Sequence, residues 1–169
     1  ADLQAEAAKD GLFYPPEPSS TKFCTIGGNI ACNAGWLRCV KYGVTRDYVL
    51  ALRGYLANGE RVRRGRATRK VATGYNLRDL GVGSEGTLGV VTQATLRLID
   101  LPMFTRTFLG VFESDEVALS PNELRKLGLR PSILEYLDQW TIECLQKYVG
   151  TEVFPGVDPK PMLLIELDG

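Results

Sequence analysis

The chain contains no histidine among its 169 residues. Histidine is the commonest general base near neutral pH and a frequent zinc ligand, so neither role is available in its usual form. The four cysteines form no Cys-x-x-Cys pair that could build a zinc site without histidine. We therefore predict no metal site. Isolated thiols of this kind favour buried, reduced cysteines in a cytoplasmic protein over a disulfide framework.

Net charge and long apolar runs are lacking as well. Acidic and basic residues balance at 20 each, which gives no overall attraction to nucleic acid. A membrane-spanning helix needs about 18 or more consecutive apolar residues, and no such run occurs. Residues 1–10 are polar, unlike a secretory leader. We predict no nucleic-acid partner and no membrane span.

The hydrophobic pattern predicts an α+β fold in two parts. Asn58-Gly59 is a strong turn signal between two strand-like runs, 47–56 and 60–64, and 90–99 predicts a further strand. After Asp100-Leu101-Pro102 the hydrophobic pattern predicts the element order β-α-β-α-β. The strands are expected at 105–112, 132–137 and 162–167, and the helices at 122–127 and 138–148. We place the domain boundary there and predict one domain at 1–100 and a second at 101–169.

Two glycine-rich segments stand out in the first part. Small residues crowd positions 24–35, which favours a tight turn packing a helix on a sheet, although a wall against a flat ligand would use the same residues. The loop 81–89 precedes a strand, whereas the dinucleotide and P-loop motifs follow a strand and open a helix. The loop is therefore neither of these phosphate motifs.

A basic run follows the predicted hairpin turn and comprises Arg61, Arg63, Arg64, Arg66, Arg69 and Lys70. A solvated edge strand protected by charge is the favoured interpretation. An anion or diphosphate contact, or a partner surface, is the alternative.

Several short blocks occur in a fixed order. They are Phe13-Tyr14-Pro15-Pro16-Glu17-Pro18-Ser19-Ser20, Cys24-Thr25-Ile26-Gly27-Gly28-Asn29-Ile30-Ala31, Asn33-Ala34-Gly35, Lys41-Tyr42-Gly43, Thr45-Arg46-Asp47-Tyr48-Val49, Gly74-Tyr75-Asn76-Leu77 and Val82-Gly83-Ser84-Glu85-Gly86-Thr87-Leu88-Gly89-Val90-Val91-Thr92. In order and spacing, residues 3–98 resemble the vanillyl-alcohol-oxidase-type FAD-linked oxidases, and within them the glycolate and D-lactate type. The blocks 130–138 and 166–169 resemble the family's cap domain more loosely.

The resemblance implies FAD as cofactor. It also implies the second subdomain of a PCMH-type FAD-binding domain, followed by the start of an α+β cap (substrate) domain. The cofactor contacts that it implies are Ser19, Ser20, Cys24, Thr25, Gly27, Gly28, Asn29, Cys32, Asn33, Gly35, Glu85, Gly86, Thr87, Gly89, Val90 and Val91. Two positions depart from the family: Trp36 replaces a usual glycine, and Cys32 replaces a usual threonine or serine. An indole at position 36 fits only if it points away from the cofactor.

The activity that the resemblance implies is hydride transfer from a 2-hydroxyacid to the flavin. The family's pyrophosphate loop and its catalytic histidines have no counterpart here. We therefore expect a fragment of a longer flavoenzyme that is inactive by itself, binds FAD weakly or not at all, and holds no catalytic residue. The expected partners of the parent are a small 2-hydroxyacid, an electron acceptor, and a second copy or partner subunits.

Three alternatives stay open. The parent could be another member of the same family, such as an ether-lipid synthase or an aromatic-alcohol oxidase. The chain could be a non-catalytic subunit that pairs with another chain through an open sheet edge. Last, it could be a globular binding module whose surface is the basic run.

Overall fold

A computed structural model describes residues 2–68, 70–118, 121–151 and 154–169 of the chain. It divides the chain into two units, Ala1–Pro102 and Met103–Gly169. Both units combine helices with antiparallel strands, which confirms the α+β prediction. No helix in the described ranges is long and apolar enough to cross a membrane.

The Asn58-Gly59 turn organises the central sheet of the first unit. Strands β2 (Val49–Tyr55) and β3 (Arg61–Gly65) pair in antiparallel fashion on either side of it, as predicted. Strand β4 (Val90–Leu96) adds to the other side of β2, so the strand order is β3-β2-β4 and β3 is an edge. The predicted strand over 90–99 ends early. Its last part instead forms β5 (Ile99–Asp100), which pairs with β1 (Leu12–Phe13).

The sequence pattern did not predict the helix that follows Thr25. The segment interpreted as a tight turn contains α2 (Ile26–Cys32), which begins at a Thr25 N-cap and ends at Asn33 in the left-handed conformation. The other helices of the unit are α1 (Asp2–Lys9), α3 (Cys39–Tyr42), a 3-10 turn at Thr45–Tyr48, and α4 (Leu77–Gly81).

The core of the first unit lies between α2 and one face of the central sheet. Ile30, Val49, Leu52 and Val82 form the buried cluster, with Ile26 and Val91 packed against it. Burial of such side chains is the main source of stability for this unit. Helix α2 is therefore held by its apolar positions on the sheet, and its small residues face outward.

The second unit is a three-stranded antiparallel sheet of order β6-β8-β7 with short helices. Its strands are β6 (Thr105–Val111), β7 (Ile133–Leu137) and β8 (Met162–Asp168), and its helices are α5 (Asp115–Ala118), α6 (Pro121–Lys126) and α7 (Gln139–Val149). The Asp138 carboxylate caps α7 by accepting a hydrogen bond from the Thr141 N–H at 2.6 Å. The predicted β-α-β-α-β order is confirmed, with α5 as an additional short helix.

The expectation of buried cysteines is wrong. All four thiols are free, but Cys32 and Cys144 are exposed and Cys24 and Cys39 are only half-buried. The reason is their placement, because Cys32 lies at the exposed end of α2 and Cys144 lies on a solvent-facing position of α7.

Candidate cofactor site

The predicted contacts gather at the two ends of helix α2. At seven residues and about 1.5 Å rise per residue, this helix is only about 10 Å long. One group of predicted contacts lies at its N-terminal end, and a second lies where its C-terminal end meets the loop 81–89. We call this loop the glycine loop.

The N-terminal end of α2 opens onto a cleft of about 360 Å³. Cys24, Thr25 and Asn29 line it, together with α1 and the proline-rich segment that follows β1. The Thr25 hydroxyl accepts a hydrogen bond from the Gly28 N–H at 3.0 Å, which fixes the first turn of the helix. Asn29 is buried, and its side-chain amide donates to the Cys24 thiol at 3.5 Å. Ser19 and Ser20 are exposed in the adjoining turn.

Gly27 and Gly28 form an exposed surface without side chains beside this cleft. A Cβ built on Gly27 would meet nothing within 4 Å, and the backbone of this residue is helical. Glycine is unfavourable in a helix by about 1 kcal/mol relative to alanine. Neither packing nor backbone conformation within the described residues explains a glycine at this position. A ligand lying close against the backbone would explain it, because a side chain would prevent that approach.

The C-terminal end of α2 is closed by the glycine loop. The Gly83 N–H donates to the Ile30 carbonyl at 2.9 Å, and the Glu85 N–H donates to the Ala31 carbonyl at 3.0 Å. These two bonds satisfy carbonyls that a helix end otherwise leaves without an intrahelical donor. Asn33 and Glu85 both adopt positive φ, 48° and 50°, in the bends that bring the segments together. The loop thereby places Cys32 and Asn33 close to Glu85.

Other predicted glycines have structural reasons. A Cβ on Gly35 would lie 2.8 Å from Val44 Cγ1, so packing excludes a side chain there. Gly89 has φ of +125° and approaches the Tyr55 carbonyl, where a Cβ would lie 2.7 Å away. Gly86 has open space around it. Thr87 folds back on the loop and donates to the Ser84 carbonyl at 2.6 Å.

The structure places Val90 and Val91 on opposite faces of β4. Val91 packs against the core cluster, whereas Val90 is 65% exposed on the open face of the sheet beside Tyr55. Both residues nevertheless line one pocket, together with Leu52 and Tyr55 of β2. Trp36 is 50% exposed, and its backbone N–H donates to the Cys39 thiol at 2.9 Å.

Sequence reasoning gave no role to Arg46, which lies at the junction of α2 and the glycine loop. Its Nη2 donates to the Val82 carbonyl at 2.9 Å, and its Nε is buried with no hydrogen-bond partner among the described residues. The only sequence signal was its place in the Thr45-Arg46-Asp47 block.

The basic run does not form one surface. Arg61 and Arg63 are exposed on the open face of edge strand β3, as expected for a charged edge. Arg64 belongs to the opposite face, where its Nη2 donates to the Leu88 carbonyl at 3.3 Å and its guanidinium lies over Gly81. Arg69 lies outside the described residues. This division weakens the interpretation of the run as a single binding surface.

A substitution at Arg63 tests the charge on the open sheet face. Arg63 pairs directly with Arg53 on β2, and like charges opposite each other destabilise a sheet. Arg63→Glu is expected to stabilise the first unit by about 0.5–1 kcal/mol at low salt, with the gain shrinking at high salt. Urea unfolding at two salt concentrations measures it. Arg61→Glu, opposite the uncharged Tyr55, is the matched control and should gain less.

Comparison with known proteins identifies the class. Residues 1–65 match the family model of the FAD binding domain. This match and the relatives described next bear out the resemblance to the FAD-linked oxidases that the sequence blocks predict, and the cofactor class of the matched domain is FAD.

Among its relatives is the glycolate oxidase subunit GlcD of Bacillus subtilis, 44% identical over 169 residues, which cover 99% of this chain and 36% of that protein. A D-lactate dehydrogenase of Anaerostipes hadrus is 40% identical over 174 residues, with the same coverage of 99% and 36%. The solved structure of an alkyldihydroxyacetonephosphate synthase superimposes with a TM-score of 0.77 at 23% identity, over 99% of this chain and 32% of that one, and supports the fold. The chain spans about a third of the length of these curated relatives.

Proposed function

We propose that this chain supplies one wall of the FAD site in an FAD-dependent oxidoreductase acting on 2-hydroxyacids of the glycolate or D-lactate type. Two relatives, each at least 40% identical over nearly the whole chain, are named as a glycolate oxidase subunit and a D-lactate dehydrogenase. The subunit naming of the first supports partner subunits for the whole protein. We further propose that Ala1–Pro102 is the cofactor-binding unit and Met103–Gly169 belongs to the substrate domain.

The observation that carries the cofactor proposal is the unobstructed backbone at Gly27 and Gly28. A planar ligand can approach the backbone of Gly27 without interference from a side chain, whereas the Gly28 N–H is already bonded to the Thr25 hydroxyl. The cleft at this end and the junction at the other end of α2 are about 10 Å apart along the helix, so an elongated ligand such as FAD can contact both.

In the proposed reaction the flavin, when bound, accepts the hydride from the substrate carbon. The role of this chain is to bind and orient the cofactor. Thr25 holds the first turn of α2 in place, and Asn29 anchors that turn to Cys24. No side chain in the described ranges is assigned to proton removal.

Affinity for FAD is expected to be low. Of the predicted contacts only Asn29 is buried, and the others lie on open or half-open surface. Tight small-molecule sites bury most of their ligand in a concave pocket. Fluorescence titration of FAD with the chain is expected to show weak, saturable binding. Adding glycolate or D-lactate with a redox dye is expected to give no dye reduction, and turnover would contradict the absence of a catalytic residue.

Gly27→Ala separates a functional reason for this glycine from a structural one. Alanine has space at this position and favours helix, so the variant is expected to be more stable by about 0.5–1 kcal/mol. If FAD lies against the backbone there, the added methyl group should raise the FAD dissociation constant about tenfold. Thermal unfolding and FAD titration together measure both effects.

The control for this test is Gly59→Ala in the turn between β2 and β3, another exposed glycine with nothing within 4 Å of an added Cβ but with φ of +82°. It is expected to lose stability because alanine disfavours positive φ. A Gly27→Ala variant that gains stability and binds FAD like the wild type would refute the proposed contact at α2.

A further inference from the structure

Arg46 joins two segments that are far apart in sequence. Its backbone N–H donates to the Asn33 side-chain oxygen at 2.9 Å, across 13 positions. Its Nη2 donates to the Val82 carbonyl at 2.9 Å, across 36 positions. One residue therefore holds the turn that ends α2 and the start of the glycine loop.

Packing around Gly83 makes this junction tight. A Cβ on Gly83 would lie 3.1 Å from Asn33 Cβ and 3.3 Å from Arg46 Nη2, and the residue has φ of +80°. The guanidinium thus lies directly against the loop backbone. The adjacent bonds from Gly83 to Ile30 and from Glu85 to Ala31 depend on the loop staying in this position.

The same guanidinium contains a buried Nε with no acceptor among the described residues. Native proteins leave few buried donors unsatisfied, so each case calls for an explanation. Holding the Val82 carbonyl requires only one donor. Burying a second donor without a partner is understandable if the planar, rigid guanidinium is needed to set the geometry of the junction.

We propose that Arg46 is a positioning residue that locks the C-terminal turn of α2 and the glycine loop into a single surface for the cofactor. This inference rests on the proposed FAD site. The surface comprises the exposed residues Cys32, Gly83 and Glu85 together with half-buried Asn33. Without the Arg46 side chain the two segments keep the backbone bonds of the loop and the packing of Val82 with Ile30, but they lose the side-chain link between them, and the surface loosens.

The test combines amide hydrogen exchange with FAD titration. In Arg46→Met, which keeps an unbranched apolar stem but removes the guanidinium donors, the Gly83 and Glu85 amides are expected to exchange about tenfold faster. The amides of β2 serve as internal reference and should be unchanged. The FAD dissociation constant should rise about tenfold. Arg46→Lys retains a donor for the Val82 carbonyl but lacks the planar guanidinium, so both values should lie between those of the wild type and Arg46→Met.

Arg53→Met is the matched control. Arg53 lies on the open face of the sheet, where it donates to the Gln93 side chain at 3.2 Å, so this variant removes the same charge away from the junction. It should leave the exchange of Gly83 and Glu85 unchanged.

Two results would overturn the inference. In the first, Gly83 and Glu85 exchange at the wild-type rate in Arg46→Met, so no lock exists. In the second, exchange accelerates while FAD affinity stays the same, so the lock does not serve the cofactor. If the wild-type chain takes up no FAD at all, the proposed function fails, and the exchange rates alone then decide whether Arg46 locks the junction.

Discussion

Gly54→Ala is expected to destabilise the first unit by about 3 kcal/mol or more, a large share of the 5–15 kcal/mol that stabilises a typical domain. A Cβ at this position would lie 2.1 Å from the Val90 carbonyl oxygen and 3.0 Å from its carbon. Both atoms belong to the backbone of β4, which cannot move away without breaking its pairing with β2. Within a strand, glycine normally costs about 0.5–1 kcal/mol relative to alanine, so the expected sign here is reversed.

The measurement is urea unfolding followed by tryptophan fluorescence. The chain has one tryptophan in each unit, Trp36 and Trp140, so a Trp140→Phe background reports the first unit alone. Gly27→Ala is the matched control, since it adds the same methyl group where nothing lies within 4 Å. Equal unfolding midpoints for the two variants would show that β4 accommodates a side chain at Gly54. Because β4 directly follows the glycine loop, Gly54→Ala should also weaken FAD binding.

Short sequence signals were sufficient to predict the elements whose contacts are close together in the sequence. The β2–β3 hairpin follows from Asn58-Gly59 because its turn and both strands are adjacent in sequence. Helix α7 follows from its apolar spacing and its Asp138 cap. Helix α2 was missed because its seven residues include two glycines and show no clear apolar period. The Thr25 cap was its one local signal.

The pairing of strands that are distant in sequence, and the contact between α2 and the glycine loop, could not be derived from composition. Strand β4 ends at Leu96 because Ile99 and Asp100 pair with β1, nearly ninety positions earlier in the chain. No pattern in residues 90–99 indicates that pairing partner. Successive side chains of β3 point to opposite faces of the sheet, so the basic run is divided between the two faces. This division is apparent only once β3 is placed beside β2. The family resemblance predicts which residues contact the cofactor, whereas the position of Arg46 between α2 and the glycine loop is apparent only from the fold, which brings three distant segments together.

Alkaline pH is expected to destabilise the first unit through a buried tyrosine. Burial raises the pKa of Tyr14 to about 12, and the nearby Thr45 side chain offsets only part of this rise. In the unfolded chain the same hydroxyl ionises near its ordinary pKa of 10.0. The folded state therefore binds this proton more tightly. The contribution of protonated Tyr14 to the free energy of unfolding is fully present below pH 10. It is lost as the pH rises from 10 to 12, by about 1.4 kcal/mol per pH unit and about 2–3 kcal/mol in total.

Tyr14→Phe isolates this contribution. The Tyr14 hydroxyl is buried, and its polar neighbour is the Thr45 side chain, whose own hydroxyl already donates to the Ala34 carbonyl, so its removal at pH 7 should change stability by about 1 kcal/mol or less. Between pH 10 and 12 the variant should lose about 2–3 kcal/mol less than the wild type. Part of the alkaline loss should persist, because burial also raises the pKa of Tyr48, whose ring packs edge-on against Tyr14 at 5.9 Å.

Urea unfolding of the Trp140→Phe background at a series of pH values gives the comparison. Tyr75→Phe is the control, since Tyr75 is 95% exposed and should leave the alkaline slope unchanged. Parallel stability curves for the wild type and Tyr14→Phe above pH 10 would mean that the buried hydroxyl ionises as readily in the folded unit as in the unfolded chain. In that case water reaches the space between the proline-rich segment and the 3-10 turn Thr45–Tyr48, against which the Tyr14 ring packs.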